Sequence, residues 1–327
     1  MKMSEIITQT KTNQLCAGID TGKAWLDIAL SDGRSLKRKE NSEGGRLALV
    51  AELRKLGVTR VGIEATGGYE APVCAELREA GIEVQVFQPL QIKSWAKFKL
   101  ARAKSDKIDS RIIAQCTAQL TELRPPPDPR LAPFAAHLTM IDQMGEDLAR
   151  AKIRLEKTTH ERHVAQINAD IERLVAERRE EFKILEASIR VHADLARRLD
   201  LVFSIDGVGM PTAIAMIVRM PELGSISREQ AASLLGVAPF DDDSGRSKGV
   251  RHIAGGRARP RTALFACTMA AIMHNDQLKV FYDRLRAKGI SFVRAIIACT
   301  RKLVVCINAV LARGTAWTEE PKARAAA

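Results

Sequence analysis

The sequence predicts an α/β domain followed by helices: a mixed sheet with helices on its faces, a long helical arm, and a mostly helical C-terminal domain. Three observations predict this. Period-two apolar runs alternate with helical spacings over the first 120 residues. No proline occurs from Ala135 to Met210, and no glycine between Gly145 and Gly207. Glycines return after Leu201, where short helical segments alternate with basic loops. The boundaries follow: residues 1–130, 131–200 and 201–327.

The elements come in order. Leu15–Ile19 is a short apolar run ending at Asp20. Ala24–Leu30 alternates around Trp25, Leu26 and Ile28, and Ser31-Asp32-Gly33-Arg34 reads as a hairpin turn. Ser35–Lys39 is expected as the third strand. Leu47, Val50, Leu53 and Leu56 give Glu43–Leu56 a helical stripe that stops at Gly57. Val58–Ile63 is the fourth strand, Glu70–Ala80 a helix closed by Gly81, and Glu83–Phe87 the fifth strand. Pro125-Pro126-Pro127-Asp128-Pro129 then breaks the chain. In residues 141–200, Val164, Ile167, Ile171, Leu174, Phe182, Leu185 and Ile189 mark one apolar stripe, interrupted at Arg178. That pattern predicts long helices in an antiparallel pair or coiled coil, serving as a spacer or dimerisation arm.

Composition narrows the function. Of 327 residues, 46% are hydrophobic and 28% charged, which excludes a wholly disordered chain. No apolar run approaches the roughly 20 residues that span a bilayer, and the first residues lack an apolar stretch, so a cytoplasmic protein with no membrane partner is expected. Cysteines 16, 74, 116, 267, 299 and 306 show no C-x-x-C spacing, which argues against structural zinc and disulfides. Net charge is +12, and all of it falls in residues 244–327, with 16 Lys/Arg against 4 Asp/Glu. Such a concentration on a folded segment reads as a polyanion-binding surface rather than a merely solvated terminus.

Two groups of residues carry candidate chemistry. Asp20 and Glu64 end the first and fourth strands, which are neighbours in a sheet of the ribonuclease H type. Asp106 and Asp109, at i and i+3, share one face of a helix start. Four carboxylates at one sheet edge are what two Mg²⁺ ions require, since hard cations take oxygen ligands and a pair can clamp both oxygens of a phosphodiester in displacement. Each acid alone has an ordinary explanation: Asp20 shapes a turn before Thr21-Gly22, and Asp106 serves the helix dipole behind an N-cap at Ser105. Seven Lys/Arg between residues 93 and 111, Lys104 among them, suit a site that admits a nucleic-acid backbone.

The second group lies downstream. Ser204–Ala213 resembles a helix-hairpin-helix turn, with backbone N–H groups for a phosphate. Gly236-Val237-Ala238-Pro239 precedes Asp241-Asp242-Asp243-Ser244-Gly245-Arg246-Ser247-Lys248-Gly249, then Arg251, Arg257, Arg259 and Arg261. A serine ringed by arginines can attack phosphate while the cations hold its oxygens. From the residues alone, a Ser-Gly pair is more often just a turn.

The ordered set changes that reading. Gly18-Ile19-Asp20, Ile63-Glu64-Ala65-Thr66-Gly67, Lys104-Ser105-Asp106-x-x-Asp109, Ile205-x-Gly207-Val208-Gly209, and Gly236-x-Ala238-Pro239…Ser244-Gly245…Gly249…Arg251-x-Ile253 occur in sequence. Together they resemble the DEDD transposases of the insertion sequence 110 family, relatives of the Piv invertase, over residues 15–310. The resemblance implies a RuvC-like (ribonuclease H fold) N-terminal domain, a coiled-coil arm and a C-terminal transposase domain. It implies Mg²⁺ on Asp20, Glu64, Asp106 and Asp109, with Ser244 as a nucleophile forming a covalent phosphoserine link to DNA. It also implies donor and target DNA, a structured guide RNA (the bridge RNA), and a dimer or tetramer whose sites combine domains of two protomers. By this reading Lys104, Arg246, Lys248, Arg251, Arg257, Arg259 and Arg261 contact nucleic acid. Three acids beside Ser244 keep Ser247 as the alternative nucleophile. The competing readings are a RuvC-like junction nuclease using water and metal alone, and a non-catalytic nucleic-acid-binding protein. The first does not need the serine, and the second does not need the acids.

Overall fold

The computed structural model describes residues 14–99, 106–123, 125–240 and 252–318, with the side chains of 106–108 and 240 outside that description. The chain divides into two compact units, Met1–Pro126 and Pro127–Ala327, and the division falls inside the proline run.

The first unit contains β1 (Cys16–Thr21), β2 (Trp25–Leu30), β3 (Lys39–Glu40), α1 (Glu43–Lys55), β4 (Arg60–Glu64), α2 (Ala71–Glu79), β5 (Glu83–Phe87), α3 (Pro89–Phe98) and α4 (Asp106–Ala118). The sheet order is β3-β2-β1-β4-β5. β1, β2 and β3 are antiparallel neighbours, while β4 is parallel to β1 and β5 parallel to β4. Strands one and four are therefore adjacent, as in a ribonuclease H-type sheet. The expected third strand is shorter than the pattern predicted. Ser35 makes an isolated bridge to Ala29, and regular pairing resumes only at Lys39. Between them Arg38 turns its guanidinium onto Asp27 instead of continuing the alternation.

Alternation divides the sheet into two faces. Ala17, Ile19, Leu26, Ile28, Val61 and Ile63 form one core with α1 and α2. The other face receives α3 and α4, with Phe87, Ile92, Ile112 and Ile113 packed together. On that face Ala29, Gly18, Gly62 and Gln85 stand in register across four strands. A Cβ on Gly18 would lie under 3.0 Å from the backbone of Ser110 and Ala114. The missing side chain is what lets α4 sit down on β1.

The second unit contains α5 (Leu131–Glu156), α6 (Glu161–Arg190), α7 (Ala193–Phe203), α8 (Met210–Arg219), α9 (Arg228–Leu235), β6 (Pro239–Phe240), β7 (His252–Ile253), α10 (Ala258–His274), α11 (Asp276–Ala287) and α12 (Phe292–Arg313). Helices α5 and α6 form an antiparallel hairpin: His137 meets Glu181 at 2.6 Å, and Arg178 lies over Gly145. Of the predicted stripe, Ile167, Leu185 and Ile189 are buried and the rest half-buried. Arg178 interrupts the seam and lies over the Phe182 ring, 5.1 Å from its centroid. The base of this hairpin shares one core with the helices that follow: Leu131, Phe134, Leu138, Ile141, Leu185 and Ile189 pack with residues of α7–α12. The arm is therefore continuous with the C-terminal helices in one compact unit.

α12 spans 22 residues and is apolar enough to cross a membrane by length and composition. Its apolar face, including Ile296, Leu303, Val304, Ile307 and Val310, is instead buried in the core of the second unit.

Candidate nuclease site and serine-loop base

The carboxylate positions of the first unit are fixed by local packing. Gly18 and Gly62 face α4, so two residues further along each strand Asp20 and Glu64 project on that same face, at the carboxyl ends of β1 and β4. α4 runs antiparallel to these strands. Its end lies near the start of β4, where Arg60 Nη1 donates to the Leu120 carbonyl at 3.1 Å. Its first turn, carrying positions 106 and 109, therefore lies toward the strand ends bearing Asp20 and Glu64. Asp20, Glu64 and Asp109 are each half-buried and each has polar interactions. The Asp106 backbone opens α4 as described; its side chain, like Lys104 and Ser105, lies outside the described residues. Among the described side chains, no group of three or more His, Cys, Asp or Glu is gathered closely enough to hold a metal ion.

The loops behind these acids are tied together. After Glu64, the Ala65 N–H donates to the Phe87 carbonyl at 2.9 Å, and Thr66 Oγ1 donates to the Glu64 carbonyl at 3.0 Å. Glu70 Oε2 accepts from the Thr66 and Gly68 amides at 3.1 and 2.9 Å. Gly67 and Gly68 both take positive φ there, which explains Thr66-Gly67 in the motif. Asn41 Nδ2 donates to the Gly22 carbonyl at 3.0 Å and the Tyr69 carbonyl at 3.1 Å, stitching the loop after β1 to the loop after β4.

Sequence reasoning missed one carboxylate. Asp27 stands directly opposite Asp20 in the antiparallel register, so both project on the α4 face. Asp27 is only 8% exposed and accepts both arms of Arg38, at 2.9 and 2.6 Å. The bidentate pair compensates a buried charge beside the candidate ligands. Its signal in the sequence was an acid inside an otherwise apolar strand.

The second unit builds the base of the serine loop. β6 and β7 pair antiparallel, Pro239 with Ile253 and Phe240 with His252, and so bring both ends of segment 241–251 together. Ser244, Arg246, Ser247, Lys248 and Arg251 lie in that segment, outside the described residues. Beneath it, Gly236 ends α9 with φ of 82°, and its backbone touches Gly256, whose φ is 70°. A Cβ on either glycine would collide with the other's segment.

The three arginines that follow hold protein groups. Arg257 donates to the Arg219 carbonyl at 2.6 Å and to both carboxylate oxygens of Glu222 at 2.8 and 2.6 Å. Arg259 donates to Thr139 Oγ1 at 2.6 Å and lies 3.8 Å from Asp142. Arg261 donates to the carbonyls of Gly255 and Leu235. The expected helix-hairpin-helix segment is the turn from α7 to α8. Gly207 is needed there because Ala271 of α10 fills the place of its Cβ, and the Cys267 thiol donates to its carbonyl at 3.3 Å.

Residues 17–181 match a transposase family defined by the DEDD transposases of IS110, and residues 199–283 match the transposase IS116/IS110/IS902 family. The chain is a DEDD transposase of the IS110 family. Relatives agree. The transposase is 28% identical over 138 residues to an insertion element IS110 uncharacterized 43.6 kDa protein of Streptomyces coelicolor, covering 42% of this chain and 34% of that protein. It thus spans about a third of that relative's length. It is 26% identical over 257 residues to the pilin gene-inverting protein of Moraxella bovis, covering 76% of this chain and 79% of the relative. Among solved structures, RuvC of T. thermophilus in complex with a Holliday junction substrate matches at 18% identity and a TM-score of 0.26, over 31% of this transposase and 90% of that chain.

Proposed function

We propose that this transposase cuts and rejoins DNA strands through a serine-linked intermediate, using Asp20, Glu64, Asp106 and Asp109 as a divalent-metal site. The observation that supports it most is backbone placement: the strand ends bearing Asp20 and Glu64 and the first turn of α4, which carries positions 106 and 109, lie toward one edge of the sheet. The donor set is all carboxylate, which fits a hard cation such as Mg²⁺. Bound there, the ion would polarise the phosphodiester and stabilise charge on the oxygens that enter and leave.

The rest of the chemistry belongs to the chain. Ser244 Oγ attacks the DNA phosphorus. The hydroxyl gives up its proton as the Ser–O–P bond forms, the P–O bond to one deoxyribose breaks, and the departing oxygen takes up one proton, so the exchange is proton-neutral overall. The new phosphoserine bond keeps the energy of the broken one, so the reverse attack by a deoxyribose hydroxyl reseals a strand without ATP. Arg246, Lys248 and Arg251 flank the serine in sequence and suit its phosphate oxygens. The described residues on either side of the segment that carries Ser244 are held together, by the β6–β7 pairing and the Gly236–Gly256 contact. In this reading a structured RNA guides target choice, which rests on the family resemblance.

The test uses cognate DNA and guide RNA with denaturing gels. Asp20→Ala, Asp106→Ala and Asp109→Ala each should abolish strand exchange, by 10³-fold or more on the scale of lost electrostatic catalysis, while the circular dichroism spectrum is unchanged. Ser244→Ala should lose the covalent adduct and keep DNA binding. An adduct that persists in Ser244→Ala and vanishes in Ser247→Ala moves the nucleophile. Cleavage by wild type without any adduct supports the junction-nuclease alternative.

Self-association through the α5–α6 hairpin belongs to the same proposal. Ile153, Val175 and Ile184 are exposed apolar residues along it. Light scattering of a variant lacking residues 141–184 should show fewer subunits; an unchanged assembly would place the contact elsewhere.

A further inference from the structure

We propose that α3 is a stacking platform for the unpaired DNA strand that enters the carboxylate site, with Phe98 as the stacking surface and Lys93, Lys97 and Lys99 as phosphate contacts. The proposal rests on the DNA reading of that site.

Position comes first. α3 leaves β5 after Gln88, and Phe87 at the end of β5 stands beside Glu64 at the end of β4. The helix therefore starts at the sheet edge that bears the acids. Its inner residues, Ile92, Trp95 and Ala96, pack with Ile112, Ile113 and Cys116 of α4, so the platform rides on the same helix whose first turn carries Asp106 and Asp109.

The outward residues are unusual. Phe98 is 73% exposed and Leu90 74%, more than any other large hydrophobic residue described in the first unit. An apolar ring left in water forgoes the free energy its burial would bring, and it signals a partner only where it belongs to a larger patch. Phe98 does not stand alone. Its ring centroid lies 5.7 Å from that of Trp95. Lys99 Nζ lies 5.4 Å from the Trp95 centroid and 5.9 Å from that of Phe98. One side of the Phe98 ring faces this aromatic–cation pair, which leaves the ring an open stack for one more planar group.

Charge identifies that group. α3 contains no acidic residue. Lys93, Lys97 and Lys99 are exposed, and none is in an ion pair among the described residues. Lys93 and Lys97 follow Leu90 at helical spacing, so cations and apolar groups alternate along the exposed face. Aromatic faces interleaved with free cations fit a single-stranded nucleic acid: the bases stack and the backbone meets the cations. A duplex hides its base faces, and a peptide partner would need acids for three lysines. DNA is the occupant because α3 starts at the sheet edge that bears the acids, where the scissile strand must lie, and its cations run from that edge along the helix.

The experiment uses the full chain and a 12-nucleotide single-stranded DNA carrying 2-aminopurine, with matching duplex DNA and single-stranded RNA. Phe98→Ala should weaken unpaired DNA about tenfold, within the range of one lost base stack, and abolish the quenching of 2-aminopurine. Phe98→Trp should retain both. Duplex affinity should not change. Lys93→Ala and Lys97→Ala should each flatten the salt dependence of single-strand binding by about 0.7 in log–log slope, whereas Phe98→Ala should leave the slope intact. Unchanged single-strand binding in Phe98→Ala, an equal loss on duplex, or a loss confined to RNA overturns the proposal. Asp20→Ala, measured in parallel, separates the two readings. It should stop cleavage and leave quenching intact, so a failed platform with a dead Asp20→Ala variant leaves the metal-site reading standing.

Discussion

Arg257, Arg259 and Arg261 in the second unit and the lysines at α3 in the first hold their charge differently. Residues 244–327 carry the whole net charge of the chain, yet Arg257, Arg259 and Arg261 are engaged with Glu222, Thr139, Asp142 and backbone carbonyls. The first 243 residues sum to zero, yet α3 and the residue that caps it present three lysines, Lys93, Lys97 and Lys99, with no ion pair among the described residues. Counting charge by segment therefore does not say which individual cations are available. The acids that hold Arg257 and Arg259 lie upstream of the basic segment, on α5 and just after α8, and no local count includes them. Charge available to a phosphate depends on tertiary pairing as well as on composition.

The comparison extends to how each unit sets its candidate chemistry. In the first, rigid strand and helix ends carry the acids, and glycine-mediated packing sets their positions. In the second, the serine sits on a segment between two short strands, and arginines and glycines secure its base. The sharpest way to break this contrast is at Gly18. A Cβ there meets backbone of α4 at Ser110 and Ala114, which cannot move without shifting the helix start that carries Asp109. Gly18→Ala should lower stability by about 1–3 kcal/mol, as overpacking does. It should also cut strand exchange about a hundredfold, the cost of misplacing reacting groups by an ångström. Gly62→Ala is the control. Its Cβ meets the buried side chains of Thr117, Phe87 and Ile113 rather than helix backbone. It should likewise cost about 1–3 kcal/mol but leave most activity, because the strain falls on side chains away from the first turn of α4. Thermal denaturation and exchange assays on both variants decide it; equal activity loss in the two would remove α4 docking as the special feature.

Much of the first unit was legible in the sequence because its strands alternate and its helices end in glycine. β5 matched residue for residue, and α1 to within one residue. The third strand was not legible, because Arg38 leaves the alternation to meet Asp27, a partner fixed only by tertiary structure. For the same reason Asp27 was absent from the predicted site. Asp20 and Glu64 were readable as strand-end acids, since adjacency of strands one and four follows from the order of elements. The base of the serine loop was hidden: Gly236 and Gly256 are 20 positions apart in the chain, and only folding brings their backbones together. Likewise Arg257, read as a phosphate ligand, is tied to Glu222, which nothing local to it reveals.

The smallest expected effects come from these arginines, and they sharpen the comparison most finely. Arg257 is one-third exposed and makes three hydrogen bonds to Arg219 and Glu222. Arg259 is about half exposed, with one short hydrogen bond and a carboxylate 3.8 Å away. Arg257→Ala leaves a carbonyl and part of a carboxylate without their donor, so it should cost about 1–3 kcal/mol of stability. It should leave the salt dependence of DNA binding unchanged. Arg259→Ala should cost less than about 1 kcal/mol, as loss of an exposed ion pair does. Its guanidinium can turn from Thr139 to a phosphate, so its removal should reduce the slope of log K against log salt by about one. Denaturant unfolding and salt titrations of the two variants separate structural from phosphate-facing cations. Were Arg257→Ala to flatten the salt response while Arg259→Ala did not, the pairing seen in the fold would not be what decides which cations meet DNA.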